Sequence, residues 1–437
     1  MTLSKQSQET ANNYIDRNTN NTIKKKQYIF QSISDLKQDI INNFNNKSQV
    51  ISQKEETSPN QKQSNISASI SLTIRKAKQQ QLFKLREIDR QLRDAYHFYY
   101  KLRYDRRYQK QANAAYSAIV AQDSGATLTP KIQRKIEAYA REVLGCARYI
   151  PWLKVYAAYR GEFKEGWLPD NYYGQVVLPI IQGDLRGLSR AKTISRRLLE
   201  TDLLPDIAYQ INGVWIDTHG NTIKPQDLKS LVFKNDTRVF VKLDGSNQGR
   251  GVFPVDRASF EIEELAALGN FVVQSSIQQS AFFDRFSTSS VATLRITTVK
   301  AKGAPAKMYA AYLRLGRENQ TAVTSASHIR VPVIDNKGTL GDLAALPNWQ
   351  KITSHPDTGA TFENLVIPSF DAAVKACTSL HDRMPHVTII GWDTAIDKSE
   401  QVQIIEWNSN HPDIKFSEAS TGPCFSKFSW DSLWQRP

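Results

Sequence analysis

Between Leu85 and Leu102, apolar residues recur at alternating spacings of three and four: Leu85, Ile88, Leu92, Ala95, Tyr99 and Leu102. Such a seam predicts an α-helix packed on a partner, with Glu87, Arg90, Arg93 and Asp94 between the apolar positions. The pattern carries on to about Gln122. A second helix is expected from Thr129 to Leu144, with Pro130 in its first turn and Gly145 beyond its end. The two make a helical hairpin within residues 71–148. Residues 146–185 read as aromatic and irregular, with a buried strand at Gln175–Ile181. A helix from Leu188 to Thr201 carries Lys192, and YQINGVWID (209–217) reads as a hairpin turning at Asn212-Gly213.

Further on, the period shortens to that of strands. Val239–Val241 and Val252–Val255 flank a glycine-rich turn, and Asn270–Ile277 follows an amphipathic helix at Arg257–Leu268. Strands at Val291–Val299, Lys307–Leu315 and Val331–Ile334 come next. A helix at Phe370–Arg383 leads to a last pair, Val387–Ile396 and Gln401–Asn408. Strands in this order, joined by short polar links, suit antiparallel sheets in an α+β protein.

Composition changes the picture mainly at the N-terminus. Residues 1–66 contain 11 Asn and 9 Gln and few aromatic residues, too little apolar surface to offset the entropy of ordering. Residues 1–70 are therefore expected to form a disordered polar tail. Residues 1–110 hold 21 Lys/Arg against 10 Asp/Glu, which accounts for eleven of the net +14. A basic arm of this kind either attracts an anionic partner (nucleic acid, lipid or acidic polymer) or is simply a solvated face. The Tyr/Arg-rich stretch from Tyr96 to Tyr108 leaves the same two readings open, with docking on protein as the commoner use. No apolar run approaches the length of a membrane span, and no secretory leader is readable. Cys146, Cys377 and Cys424 are odd in number and far apart, which excludes a disulfide framework and points to a reducing, cytoplasmic setting.

Three constellations carry chemistry. The first is VFVKLDGSNQGRGVFPVD (239–256): Lys242 at the base of a loop holding Gly245, Ser246, Gly249, Arg250 and Gly251. Glycines let backbone N–H groups approach an anion, and the lysine adds a mobile charge, so the hairpin makes a phosphate cover. It is neither a P-loop nor a dinucleotide fingerprint, since its glycines lead into a strand. The second is the C-terminal pair, TIIGWDTAID and VQIIEWNSN. Alternation puts Glu406 and Asn408 on one face, and a four-residue turn at 397–400 would set Asp393 diagonal to Glu406. Buried carboxylates call for a cation, and an all-oxygen set suits Mg²⁺ or Mn²⁺. The third is Arg295 in VATLRITT, which is placed either to clamp a phosphate or carboxylate or to pair with a structural acid.

In this order, Lys192, KLDGSNQGRGV, Gln274, TLRITT and GWDTAI…IIEWN resemble the ATP-grasp superfamily, closest to its sugar-transfer associated branch, over roughly residues 150–425. The resemblance implies two α+β subdomains clamping ATP. It places a linker part at 149–235, a small subdomain at 236–280 and a large, metal-bearing one at 281–437. It further implies that Lys192 and Lys242 contact ATP phosphates under Gly245–Gly251, and that Gln274, Ser275 and Ile277 line the adenine and ribose site. Asp393, Glu406 and Asn408 would hold Mg²⁺, and Arg295 would face the transferred phosphate or the acceptor. Asp244 departs from the family, which often carries proline after the lysine. His328, Arg330 and His411 lie where acceptor contacts fall but match no firm motif, and a structural role is expected of the histidines.

The activity implied is ATP- and Mg²⁺-dependent activation of a carboxylate as an acyl phosphate for attack by an amine. The carboxylate would be a small molecule or glycan precursor. The alternatives are a kinase on the same scaffold and a non-catalytic basic binding protein. Electrostatics and positioning suffice for phosphoryl transfer, and no GxSxG or HExxH argues for another chemistry.

Overall fold

The computed structural model describes residues 63–246, 251–318 and 327–435. The expected disordered tail up to residue 62 lies outside the described residues, as do Gly249 and Arg250. Residues 63–70, placed in that tail by composition, are helical: one helix runs Gln63–Gln122, in a stretch rich in good helix formers. The chain divides into two compact units within this helix, at Tyr104/Asp105. In the smaller unit, seam residues Leu92, Tyr99 and Leu102 are exposed, while the side chains of Leu85, Ile88 and Ala95 lie outside the described residues.

The larger unit starts with the rest of that helix, which buries Ala112, Ala115 and Ile119. The second helix follows where expected, Pro130–Ala138, with Thr129 accepting from Ile132 N as its N-cap, and a π-turn, Tyr139–Val143, ends it. Ile150–Arg160 (IPWLKVYAAYR) is helical, not irregular; it is buried nearly all round, so no amphipathic period marks it. The expected strand at Gln175–Ile181 is also helical: Tyr173–Val177 forms a π-turn that passes into Leu178–Gln182. Its apolar run is too short for period to decide between helix and strand, and the π-turn accommodates Pro179, which lacks the N–H of a regular helix. Leu188–Thr201 is a series of 3₁₀ turns, 183–190 and 192–194, ending in a helix, Ser195–Leu199.

Among the described residues, twelve strands form two antiparallel sheets. The five-stranded sheet has the order β2-β1-β5-β3-β4: β1 Asp206–Ile211, β2 Val214–Asp217, β3 Arg238–Leu243, β4 Val252–Asp256 and β5 Phe271–Ser275. The division expected at residue 236 cuts this sheet. Ala208–Gln210 pair with Phe271–Val273, a contact over some sixty residues that no local pattern announces. The seven-stranded sheet has the order β10-β9-β8-β7-β6-β11-β12. Its strands are β6 Thr293–Val299, β7 Lys307–Leu315, β8 Ile329–Pro332, β9 Ala344–Ala345, β10 Lys351–Ile352, β11 Ile389–Ile396 and β12 Val402–Asn408.

One face of the larger sheet, through Leu294, Ile296, Leu313, Trp392 and Trp407, packs on helix Phe370–Asp382. The other carries Tyr312 into a second core with Trp152, Trp349 and Phe416. Polar and charged residues on that face, Arg295, Arg314, Arg330, Asp393, Glu406 and Asn408, make the candidate site. Among the described residues no helix is long and apolar enough to cross a membrane.

Candidate active site

Cross-strand register sets the acidic end of the site. Ile396 pairs with Val402 and Thr394 with Ile404, and then the ladder slips, so that Asp393 faces Glu406 directly and Gly391 faces Asn408. The diagonal placement expected from a four-residue turn is thus corrected by two features. The turn holds five residues, 397–401, with Asp397 N bonded to Gln401 O at 2.9 Å, and Ile405 is an extra, bulged residue. The bulge matters chemically, because it frees the Ile405 carbonyl to accept from Lys242 Nζ at 3.1 Å. Lys242 comes from β3 of the other sheet, so this bond spans the two sheets.

Three more contacts hold the Lys192 segment along β12. Trp407 Nε1 donates to Ser195 Oγ at 3.0 Å, Ser409 N to Ser189 Oγ at 3.0 Å, and Ile404 N to Leu203 O at 2.8 Å. Lys192 Nζ then donates to Ser246 O at 3.0 Å and lies 3.9 Å from Glu406 Oε2. One cleft between the sheets is lined by Lys192, Lys242, Gln274 and Glu406, together with Ser189, Ser195 and Asp206. Lys242 and Asp393 lie close enough for their charges to interact, although Asp393 is not among the residues that line the cleft.

Asp244 does not face this cleft. Its carboxylate accepts from Thr193 N at 3.0 Å and Thr193 Oγ1 at 2.7 Å, so the residue that departs from the family pattern ties the loop to the Lys192 turn. Gly245 has φ +69°, a left-handed conformation that suits glycine. At Gly251 a Cβ would come within 2.5 Å of Ser246 Cβ, and Ser246 is buried with its hydroxyl donating to Leu243 O. Gln274 lines the cleft, but its amide donates to Asp206 Oδ1 at 2.7 Å. Ser275 and Ile277 are half-buried and follow Gln274 along the chain, outside the residues that line the cleft.

Electrostatics follow from burial. Lys242 is 7% exposed, and desolvation pulls its pKa down to about 8, with Glu406 opposing and Lys192 reinforcing the drop. Asp206 is pushed up by burial, against hydrogen bonds from Gln274 and Tyr209. Asp206 and the two serines were invisible to motif reasoning, because nothing but tertiary placement distinguishes them from other polar residues.

Asp393 accepts a side-on pair from Arg295, Nε at 2.6 Å and Nη2 at 2.9 Å, and Arg314 Nη1 lies 3.1 Å from Oδ1. Burial raises its pKa, but the two guanidiniums outweigh burial and hold it below the ordinary carboxylate range. Of the two readings of Arg295, the structure therefore shows the acid partner: Arg295 spends Nε and Nη2 on Asp393, and Arg314 is a second partner that the sequence reading missed. Asn408 Nδ2 also reaches Asp393 Oδ2, at 3.4 Å. Among the described residues no three His, Cys, Asp or Glu side chains gather as a metal cluster. The oxygen chemistry of Glu406 and Asn408 fits a hard divalent ion, while both oxygens of Asp393 are engaged by arginine.

The histidines hold structure. His411 Nε2 lies 2.9 Å from buried Asp170, and buried His381 bridges Thr298 Oγ1 and Val387 O, its pKa lowered by burial to about 4.

Residues 264–427 match the family described as sugar-transfer associated ATP-grasp. That stretch, just over a third of the chain, is similar to sugar-transfer associated ATP-grasp proteins. The matched span holds Gln274, Arg295, Asp393, Glu406 and Asn408, while Lys192 and Lys242 precede it.

A search of curated proteins finds no match. Among solved structures, the ADP complex of N5-carboxyaminoimidazole ribonucleotide synthetase (purK) is 9% identical with a TM-score of 0.32, over 52% of this chain and 46% of that one. The Thermotoga maritima synthetase of the same name is 12% identical, TM-score 0.29, over 51% and 42%. A biotin carboxylase–β,γ-ATP complex from Campylobacter jejuni is 11% identical, TM-score 0.35, over 56% and 46%. The chain spans less than half the length of each of these three.

Proposed function

We propose that this chain binds ATP in the cleft between its two sheets and activates a carboxylate as an acyl phosphate, which an amine then displaces. The carrying observation is the meeting of Lys192 and Lys242 with Glu406 in one cleft. A small-molecule or glycan-precursor acid is the proposed acceptor class, consistent with the sugar-transfer associated family.

Each group has a task. Lys242 and Lys192 neutralise phosphate charge in a cleft of low dielectric, where such attraction counts most. The glycine hairpin offers backbone N–H groups, and Asp244 fixes that hairpin against the Lys192 turn. Gln274, which lines the cleft, stands on the side assigned to the nucleoside. A Mg²⁺ ion would rest on Glu406 and Asn408, with Asp393 beside them, and would draw off charge from the phosphates during transfer. No protein nucleophile is needed.

The test is release of ADP and free phosphate on adding an acid with an amine, screened over carboxylic acids. In Glu406→Gln the expected result is loss of turnover by at least a hundredfold with melting temperature kept, since only the charge of a half-exposed side chain changes. Retained turnover would overturn the assignment. Phosphate found on the acceptor, with none released, would give the kinase reading instead.

A further inference from the structure

Arg314 on β7 and Arg330 on β8 are cross-strand partners and so share a face of the larger sheet. Both are buried, at 9% and 6% exposure. The Nε of each is buried without a hydrogen-bond partner. Arg314 reaches Asp393 and Tyr312 through its terminal nitrogens, and Arg330 donates Nη2 to Leu346 O at 2.6 Å. Arg330 is otherwise held by rings, 4.6 Å from Trp349 and 5.3 Å from Phe416. Among the described residues no carboxylate lies within 4.0 Å of Arg330, and Asp413 exerts the largest compensating charge on it, acting on Arg314 as well.

Arg330 is a buried guanidinium with no acid within ion-pair distance, which is costly to keep. Together with Arg314, whose charge Asp393 already meets, it sets two idle Nε–H donors on adjacent strands. Arg295, which could have served, is committed to Asp393. We infer that Arg314 and Arg330 form a carboxylate-binding subsite, next to Asp393, that holds the acid group of the acceptor. This rests on the proposed activity for the identity of its ligand but not for the existence of the site. Arg314 is the link, since it touches Asp393 on one side and pairs with Arg330 on the other. A carboxylate seated there has two oxygens to offer two Nε–H donors. The aromatic rings fix the plane of Arg330 and exclude water, which strengthens the attraction.

The experiment uses the full chain and two probes: Mg²⁺ with a non-hydrolysable ATP analogue, and sodium malonate exchanged for sodium chloride at constant ionic strength. Malonate is expected to raise the wild-type melting temperature by roughly 2–4 °C, with or without the nucleotide. Arg330→Met should lose that rise and keep the nucleotide-induced one; Lys242→Met should do the reverse. Should Arg330→Met fail to fold, Arg330→Lys and Arg314→Lys keep the charge but lose the planar fork, and their half-maximal malonate concentration should rise at least fivefold. An unchanged malonate response in these variants, or no response above chloride in the wild type, overturns the subsite. A wild type that answers malonate but not nucleotide would sink the ATP reading and leave the subsite standing.

Discussion

Lys242 shows most directly how burial sets chemistry here. Its folded pKa of about 8 lies below the ordinary lysine value near 10.5. Below pH 8 both folded and unfolded chains hold the proton, and folding carries the whole cost of burying the charge. Between pH 8 and 10.5 the unfolded chain holds a proton that the folded one has released, so stability rises with pH across that window, by up to about 3 kcal/mol. Nucleotide works in the opposite direction. A triphosphate favours the charged lysine, so ATP binding at pH 8.5–9 should take up close to one proton, and affinity should fall as pH climbs through that range. Calorimetry in two buffers of different ionisation enthalpy reads the uptake directly. A wild type with no buffer dependence, or Lys242→Met with the same dependence, would contradict this account of the cleft.

Among elements, the hairpin β11–β12 and the Lys192 segment show what was legible and what was not. Alternation alone put Glu406 and Asn408 on one face and Trp407 on the other; in the structure Glu406 and Asn408 face Asp393 and Gly391 on β11, and Trp407 joins the core. Register was not legible: one extra turn residue and the bulge at Ile405 together move Asp393 from diagonal to opposite, and the bulged stretch is bonded to Lys242 and Leu203, contacts no local pattern announces. The partner of Arg295 was foreseen as one of two choices, because a sequence cannot show which buried charge neutralises which. Helices at Ile150–Arg160 and Tyr173–Gln182 were lost for the opposite reason, being too evenly apolar to show a period. Asp244 looked like a defect beside the phosphates and is a clasp. Asp244→Ala removes both bonds to Thr193 and frees the Lys192 turn from the loop. At about 1 kcal/mol per lost bond the melting temperature of the free protein should fall by a few degrees, and nucleotide affinity should weaken severalfold as the Lys192 turn loses its tether. Isothermal titration with the ATP analogue measures it, and wild-type affinity in the variant would show that the clasp does not position Lys192.

At the scale of the whole molecule, net charge and the candidate site are laid out separately along the chain. Eleven of the fourteen net positive charges fall in residues 1–110, whereas every residue of the candidate site lies beyond 188. The larger unit begins at Asp105, whose carboxylate accepts from Arg148 at 2.9 Å and from Gln175 at 2.6 Å, and the helix from there buries Ala112, Ala115 and Ile119. Upstream in the same helix, Phe83, Leu92, Tyr99, Tyr100 and Leu102 are all exposed. A chain cut to residues 105–437 therefore keeps its core contacts and the cleft. It should fold and show the same nucleotide-induced rise in melting temperature as the full chain. What it should lose is attraction for polyanions. Binding of the full chain to a short nucleic-acid duplex or to heparin is expected to weaken steeply between 50 and 200 mM salt, as release of counterions by a basic arm requires. The cut chain should show little binding at either salt. If instead the 105–437 chain loses its response to nucleotide while still folding, the N-terminal unit takes part in building the ATP site, and the separation of charge from chemistry along this chain is wrong.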